Sequence, residues 1–204
     1  MLRLMRTDTH FSKAVEEAVS LVEQGTDAEL VVVAAPQSGH YRDVALWVGV
    51  AAAASLLAAA LFAPFEVDPR WVGFDLLLGL LVATWFGGRI PGLVRLLTSS
   101  GRRTRQVEEA ASAAFHDDQV HATRGRTGIL IYLSTLEQQV VVIPDHGLAS
   151  RIPQAEWNGI QWDAVKLEGF LEGLELAGEV LARYVPAQVD DNPDELPNAP
   201  RIRS

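Results

Sequence analysis

Two long apolar segments dominate the hydrophobic pattern in the first half of the chain. Positions 44–65 carry no charged residue, and positions 71–87 are interrupted by one, Asp75. As a helix with a rise of about 1.5 Å per residue, the first segment is about 33 Å long, enough to cross the hydrocarbon core of a bilayer. The short polar link 66–70 makes the two helices antiparallel neighbours. The pattern predicts a transmembrane hairpin with spans at about 44–65 and 71–90.

The residues that flank these segments favour membrane spans over the alternative, a pair of buried core helices in a soluble protein. Trp47, Trp71 and Trp85 lie near the segment ends, where amphipathic rings favour the headgroup region. The link contains a single arginine, whereas six arginines lie on the opposite side: Arg42, Arg89, Arg95, Arg102, Arg103 and Arg105. By the positive-inside rule, both termini and all the polar sequence are expected in the cytoplasm.

Outside the hairpin, helical and strand patterns alternate. Apolar residues recur at helical spacing over 11–22, 102–118 and 153–184, the last with a predicted break near Gly169 or Gly173. Short apolar, β-branched runs at 29–35, 128–133 and 139–143 predict three strands. The first two strands enclose a helix and should be parallel, and the last two should form an antiparallel hairpin. The fold class is therefore α/β with a small mixed sheet.

These elements predict one domain that is split by the hairpin. Residues 1–43 and 98–185 form the cytoplasmic domain, and 44–97 form the transmembrane hairpin. The last segment, 186–204, holds four prolines and four acidic residues and is predicted to be a disordered tail.

Composition narrows the chemistry and the partners. The chain has no cysteine, which excludes disulfides, thiolate metal sites and thiol nucleophiles. A net charge of −9 argues against nucleic acid as a partner. The arginines beside the spans are expected to meet membrane lipid headgroups.

A resemblance to a known family rests on several segments of the second half of the chain. These are Ala114-Phe115, the stretch Thr123-Arg-Gly-Arg-Thr-Gly-Ile-Leu-Ile-Tyr132, Leu136-Glu137, Val140-Val-Val-Ile143, Asp145-His-Gly-Leu148 and Trp157. With them the sequence resembles the TPM-domain family over about 10–43 and 102–185. The resemblance implies an α/β/α sandwich. A membrane hairpin inside the domain resembles a bacterial branch of the family, which implies a multi-pass protein of the bacterial cytoplasmic (inner) membrane. Family members have been described as acid phosphatases, divalent-metal binders and accessory factors.

The candidate site depends on the predicted topology. No P-loop, G-x-S-x-G or H-E-x-x-H motif is present. The predicted strand directions bring two clusters of acids and histidines to the edge of the sheet far from the membrane. The members of these clusters are His116, Asp117, Asp118, His121, Asp145 and His146. Carboxylates and imidazoles can hold a divalent cation such as calcium or magnesium, or act as acid and base beside it. The alternative is a solvated helix end and a turn.

Two functional hypotheses remain from the sequence. The first is a membrane-anchored interaction or assembly module with a protein partner and a divalent-metal site at Asp117, Asp118, His121, Asp145 and His146. The second is a metal-dependent phosphatase or related hydrolase that uses the edge of the sheet at Asp145. Whether the protein is an enzyme stays open at this point.

Overall fold

The computed structural model describes residues 9–62, 68–187 and 196–203. The chain divides into two compact units, one formed by 1–38 with 104–204 and the other by 39–103. The helices are α1 (Thr9–Glu23), α2 (Arg42–Phe62), α3 (Pro69–Gly87), α4 (Pro91–Leu97), α5 (Ser100–Asp117), α6 (His146–Ala149), α7 (Gln154–Gly159) and α8 (Leu167–Tyr184). The strands are β1 (Glu29–Ala35), β2 (Gly128–Ser134), β3 (Gln139–Pro144) and β4 (Arg201–Ile202).

A mixed sheet of four strands organises the first unit, in the order β3-β2-β1-β4. β1 and β2 are parallel, with Glu29 opposite Gly128 and Ala35 opposite Ser134. β2 and β3 are antiparallel, with Ser134 opposite Gln139. The predicted directions of these three strands are confirmed.

Both faces of the sheet are covered, which explains why every residue of β1 and β2 is buried. One face packs against α1 and α8 through a core that includes Phe11, Phe170 and Leu174. The other face packs against α5 through Val107 and Ala111. The predicted mixed α/β fold, with the sheet between two helical layers, is confirmed.

The last helical region breaks earlier than the sequence indicated. α7 ends at Gly159 and α8 begins at Leu167, so the predicted break at Gly169 or Gly173 is wrong. These two glycines lie inside α8 because neighbouring side chains occupy the space of a Cβ. An added Cβ at Gly169 would lie 2.7 Å from the Cβ of Asp163, and one at Gly173 would overlap the ring of Trp162. The glycines therefore serve packing rather than helix termination.

The second unit contains α2 and α3, which pack as antiparallel neighbours. Small residues allow the close contact: an added Cβ at Gly87 would lie 2.9 Å from Val48, and one at Gly79 would overlap Leu56. Among the described residues, α2 and α3 are the two helices long and apolar enough to cross a membrane, with mean hydropathies of 2.2 and 1.3. Residues 63–67, which hold part of the predicted link, lie outside the described residues. α3 ends at Gly87, three residues before the end of the predicted span 71–90, and a separate helix, α4, begins at Pro91.

The C-terminal segment differs from its prediction of disorder. Residues 201–202 form β4, which pairs in parallel with β1, and Leu196 packs against the core on the α5 face. Residues 188–195 lie outside the described residues. The apolar pattern of the sequence did not indicate β4. This strand is held by backbone groups of β1 and by acidic side chains, and neither kind of contact produces an apolar pattern.

Candidate functional site

The acids at the end of α5 contact arginines of the C-terminal segment. The carboxylate of Asp118 lies 2.8 Å from Arg201 through Oδ1 and 2.8 Å from Arg203 through Oδ2. Asp117 lies 3.6 Å from Arg203. The hydrogen bond to Asp118 raises the pKa of the Arg203 guanidinium. Both predicted metal ligands on this helix are thus neutralised by a partner that the sequence analysis assigned to a disordered tail.

Asp145 lies at the end of β3, next to the start of β2. Its backbone N–H donates to Gly128, and its Oδ1 accepts the N–H of His146 at 2.7 Å, which caps α6. Asp145 is 6% exposed, and its buried Oδ2 makes no hydrogen bond to the described residues. The nearest charge to Oδ2 is Arg126, whose Nη1 is 4.0 Å away. His146 is exposed. This buried and under-coordinated carboxylate oxygen is the strongest remaining candidate for a cation ligand.

The two predicted histidines near α5 form an aromatic cluster. The ring centroids of His116 and His121 are 5.5 Å apart, and that of Phe115 lies 6.1 Å from that of His121. The Nδ1 of His121 is buried without a hydrogen bond to the described residues.

The predicted convergence of the two acid and histidine clusters receives no support. Within residues 9–62, 68–187 and 196–203, no group of three or more acidic or histidine side chains is arranged to hold a metal ion. Asp118 is engaged by arginines and Asp145 caps a helix, so they do not form a shared acid and base pair. The hydrolase hypothesis therefore stays a prediction.

A buried polar network that the sequence analysis missed joins the loop after β1 to the turn after β2. The backbone N–H of Ser38 donates to Glu137 at 3.1 Å, and the hydroxyl of Ser38 donates to Ser134 at 2.7 Å and lies 3.2 Å from that of Tyr132. Ser134 in turn donates to the carboxylate of Glu137, which is 3% exposed. Burial raises the pKa of the Tyr132 phenol, and the bond with Ser38 opposes this shift. Ser134 and Glu137 of this network are buried and Ser38 is partly buried, and the hydrogen bonds join the ends of β1 and β2.

An open groove between α1 and α8 is the second feature that the sequence analysis missed. The two helices run in the same direction, because Phe11 near the start of α1 lies beside Phe170 near the start of α8, and Val22 further along α1 lies beside Gly178 further along α8. The groove has a volume of about 540 Å³, and its floor is formed by Ala18, Leu21, Val22, Leu171, Gly178 and Ala182. Four exposed glutamates of α8 line its rim: Glu168, Glu172, Glu175 and Glu179. Their spacing of three and four residues, visible in the sequence, places them along one side of the helix.

The fold and these sites define a mixed α/β sandwich that carries two apolar helices and an acidic, apolar groove. The structure is similar to that of the BA42 protein from the psychrophilic bacterium Bizionia argentinensis, determined by NMR, with a TM-score of 0.57 and 20% sequence identity. The match covers 96% of this chain and 94% of that chain. This likeness concerns the fold alone. No family model matches the chain, and no curated protein matches it.

Proposed function

We propose that this protein is a membrane-anchored interaction module of the TPM type, which binds a helical segment of a partner protein in the groove between α1 and α8. The observation that carries the proposal is the combination of an apolar floor and an acidic rim in this groove. Leu21, one of the apolar residues that line the groove, is 69% exposed and is therefore accessible to a partner.

The shape and charge of the groove indicate the chemistry of its partner. Gly178 lets α1 and α8 approach, since an added Cβ would lie 2.7 Å from Val22, and the small residues leave a continuous apolar channel. An amphipathic helix buries its apolar face in such a channel. The glutamates on the rim favour basic residues beside that face and disfavour acidic ones. The partner is therefore a basic amphipathic helix.

Reversing the charge of the rim is expected to weaken binding of a basic amphipathic peptide by about tenfold, which corresponds to about 1.4 kcal/mol. The variant is Glu172→Lys with Glu175→Lys in the full chain, held in a lipid nanodisc. The probe is a synthetic helix with leucine on one face and lysine on the other. Crosslinking from a photoreactive phenylalanine at position 21 measures the bound fraction.

The matched control is Glu108→Lys with Glu109→Lys on the exposed face of α5, which changes the net charge by the same amount as the variant of the rim. It should bind like the wild type, because both substitutions lie outside the groove. Peptide that associates with the lipid instead of the protein should be equal in both samples. A photoreactive residue at position 176, outside the groove, should give little crosslinking. Equal crosslinking of a peptide with glutamate in place of lysine would contradict the proposal.

The proposed location is the bacterial cytoplasmic membrane, with both termini in the cytoplasm. The arginines on one side of the apolar helices support this orientation. Two of them have local partners: Arg102 binds the carboxylate of Asp43 at 2.6 Å, and Arg89 lies 3.9 Å from the ring of Trp85. The module would then meet its partner at the inner surface of the membrane.

A divalent cation at Asp145 is a second proposal, favoured by the buried Oδ2 of this residue, which makes no hydrogen bond to the described residues and has Arg126 at 4.0 Å. Calcium or magnesium is expected to raise the thermal midpoint of the wild-type protein, since a ligand that binds the folded state stabilises it by mass action. At about a hundred times the dissociation constant the gain is about 2.7 kcal/mol. Asp145→Asn should abolish the response.

Asp118→Asn is the matched control for this titration, because Asp118 is engaged by arginines and should not contribute to cation binding. Its midpoint should rise with the cation as much as that of the wild type. A response that survives in Asp145→Asn, or that is absent from all three proteins, would remove the metal from the proposal.

A further inference from the structure

Part of the open edge of β1, at Val33 and Ala34, is covered by residues 201–203. Arg201 is opposite Val33 and Ile202 is opposite Ala34 in a parallel pair, and the N–H of Arg203 donates to Ala34 at 2.9 Å. The pairing is two residues long. Without it, β1 would present unpaired backbone groups along an apolar strand, which is the form of sheet edge that accepts added strands.

The side chains of the segment fix its register through an acidic contact. Because side chains alternate along a strand, Arg201 and Arg203 lie on the α5 face of the sheet and Ile202 on the other. Each arginine contacts one oxygen of Asp118 at 2.8 Å, and Arg201 also donates to the backbone carbonyl of Asp118 at 2.9 Å. The Asp118 side chain is 14% exposed. Carboxylates at a helix C-terminus oppose the helix dipole, at a cost in stability. The contact with two arginines offsets that cost.

We propose that the edge of β1 together with Asp118 is a docking site for an extended Arg-x-Arg strand, and that the chain's own C-terminus is an exchangeable occupant. The same segment of a second copy is the partner that fits. The occupant contributes a two-residue pairing, ion pairs in which the Arg201 and Arg203 side chains are 27% and 40% exposed, and the contacts of Leu196, which packs against the core and donates its N–H to Glu29. Contacts of this kind are weak singly. Covalent attachment to the same chain raises the effective concentration of the segment at this edge, which favours the intramolecular occupant.

This inference concerns a different surface from the groove and does not depend on it. The two sites lie on different elements, with the docking edge formed by β1 and the end of α5. Loss of peptide binding to the groove would leave the inference intact. Exchange at the edge provides a way to join two copies through their C-termini.

The test uses the full chain in mild detergent and a fluorescein-labelled peptide of residues 196–204. Arg201→Ala with Arg203→Ala releases the segment from its site and leaves β1 and Asp118 unchanged. Fluorescence anisotropy should show at least about tenfold tighter peptide binding to this variant than to the wild type, because the tethered competitor is lost. Adding Asp118→Asn to the variant should weaken binding at least tenfold. Arg151→Ala, an exposed arginine elsewhere in the same unit, should bind like the wild type.

A second measurement keeps both arginines in place. Since the chain has no cysteine, Ile202→Cys accepts a single nitroxide label. Excess unlabelled peptide should convert the immobilised electron paramagnetic resonance spectrum to a mobile one. A spectrum that excess peptide leaves unchanged would overturn the proposal. Equal peptide affinities of the wild type and the double-alanine variant would also overturn it, and so would binding that is indifferent to Asp118→Asn.

Discussion

Val50→Arg combined with Leu78→Arg is expected to release this protein from the membrane. Both side chains are among the exposed large apolar residues of the structure, and each lies near the middle of its helix, α2 or α3. An arginine at the centre of a spanning helix costs about 2.5 to 3.5 kcal/mol, so two cost about 6 kcal/mol and lower the partition into the bilayer by about 10⁴-fold. Flotation of cell membranes on a density gradient measures the outcome, because aggregated protein stays at the bottom.

The matched control places two arginines at the helix ends that adjoin the link between α2 and α3, instead of at the helix centres. Leu61→Arg lies one residue before the end of α2, and Trp71→Arg lies in the first turn of α3. Arginine side chains at these positions reach the headgroups, so this variant should float like the wild type. A reporter fused after Ser204 that is active only outside the cytoplasm should stay inactive in both. Flotation of the central double variant at the wild-type level would show that α2 and α3 do not span the bilayer.

Phe170→Ala is expected to lower the free energy of unfolding of the sandwich by about 3 to 5 kcal/mol. The ring is 0% exposed and lies 6.3 Å from that of Phe11 and 5.8 Å from that of Trp162, so truncation leaves a cavity between α1, α8 and the loop before α8. Urea unfolding in mild detergent measures the loss, followed by the fluorescence of Trp157 and Trp162 after the tryptophans of α2 and α3, Trp47, Trp71 and Trp85, are replaced by phenylalanine in both proteins.

Leu176→Ala on the same helix is the control, because this side chain is 43% exposed and contributes less to the core. Its effect should stay within about 0.5 kcal/mol. A loss below about 1 kcal/mol for Phe170→Ala would contradict the packing of α8 on the sheet. Since α8 carries the glutamates of the rim, the same variant should also weaken peptide binding to the groove.

The elements that the sequence predicted well are those with a strong period or a continuous apolar run. β1 and β2 are uniformly buried and rich in valine, isoleucine and leucine, so both their existence and their parallel pairing followed from the pattern. α1 and α5 followed from apolar stripes such as Val15 and Val19. These features depend on burial, and the positions of the apolar residues along the chain indicate directly which residues are buried.

The features that the sequence did not predict depend on contacts between distant residues. Gly173 suggested a helix break in isolation, and its purpose is visible once Trp162 packs against it. β4 is two residues long and follows a stretch rich in proline, which is typical of disorder, and its arginines bind Asp118, which lies 83 to 85 residues earlier in the chain. The network around Glu137 likewise joins Ser38 to a turn about a hundred residues away.

The pairing of β1 with β2 also determines the order of events during synthesis. β1 ends at Ala35, and β2 begins 93 residues later, at Gly128. Both apolar helices are synthesised in that interval. At about 5 to 20 residues per second, β1 waits about 5 to 19 seconds for a partner. During that time β1, a seven-residue strand with six apolar residues after Glu29, lacks its β2 partner while the apolar helices are synthesised. The β1–β2 pair, which is the centre of the sheet, is therefore expected to form only after both apolar helices have been synthesised.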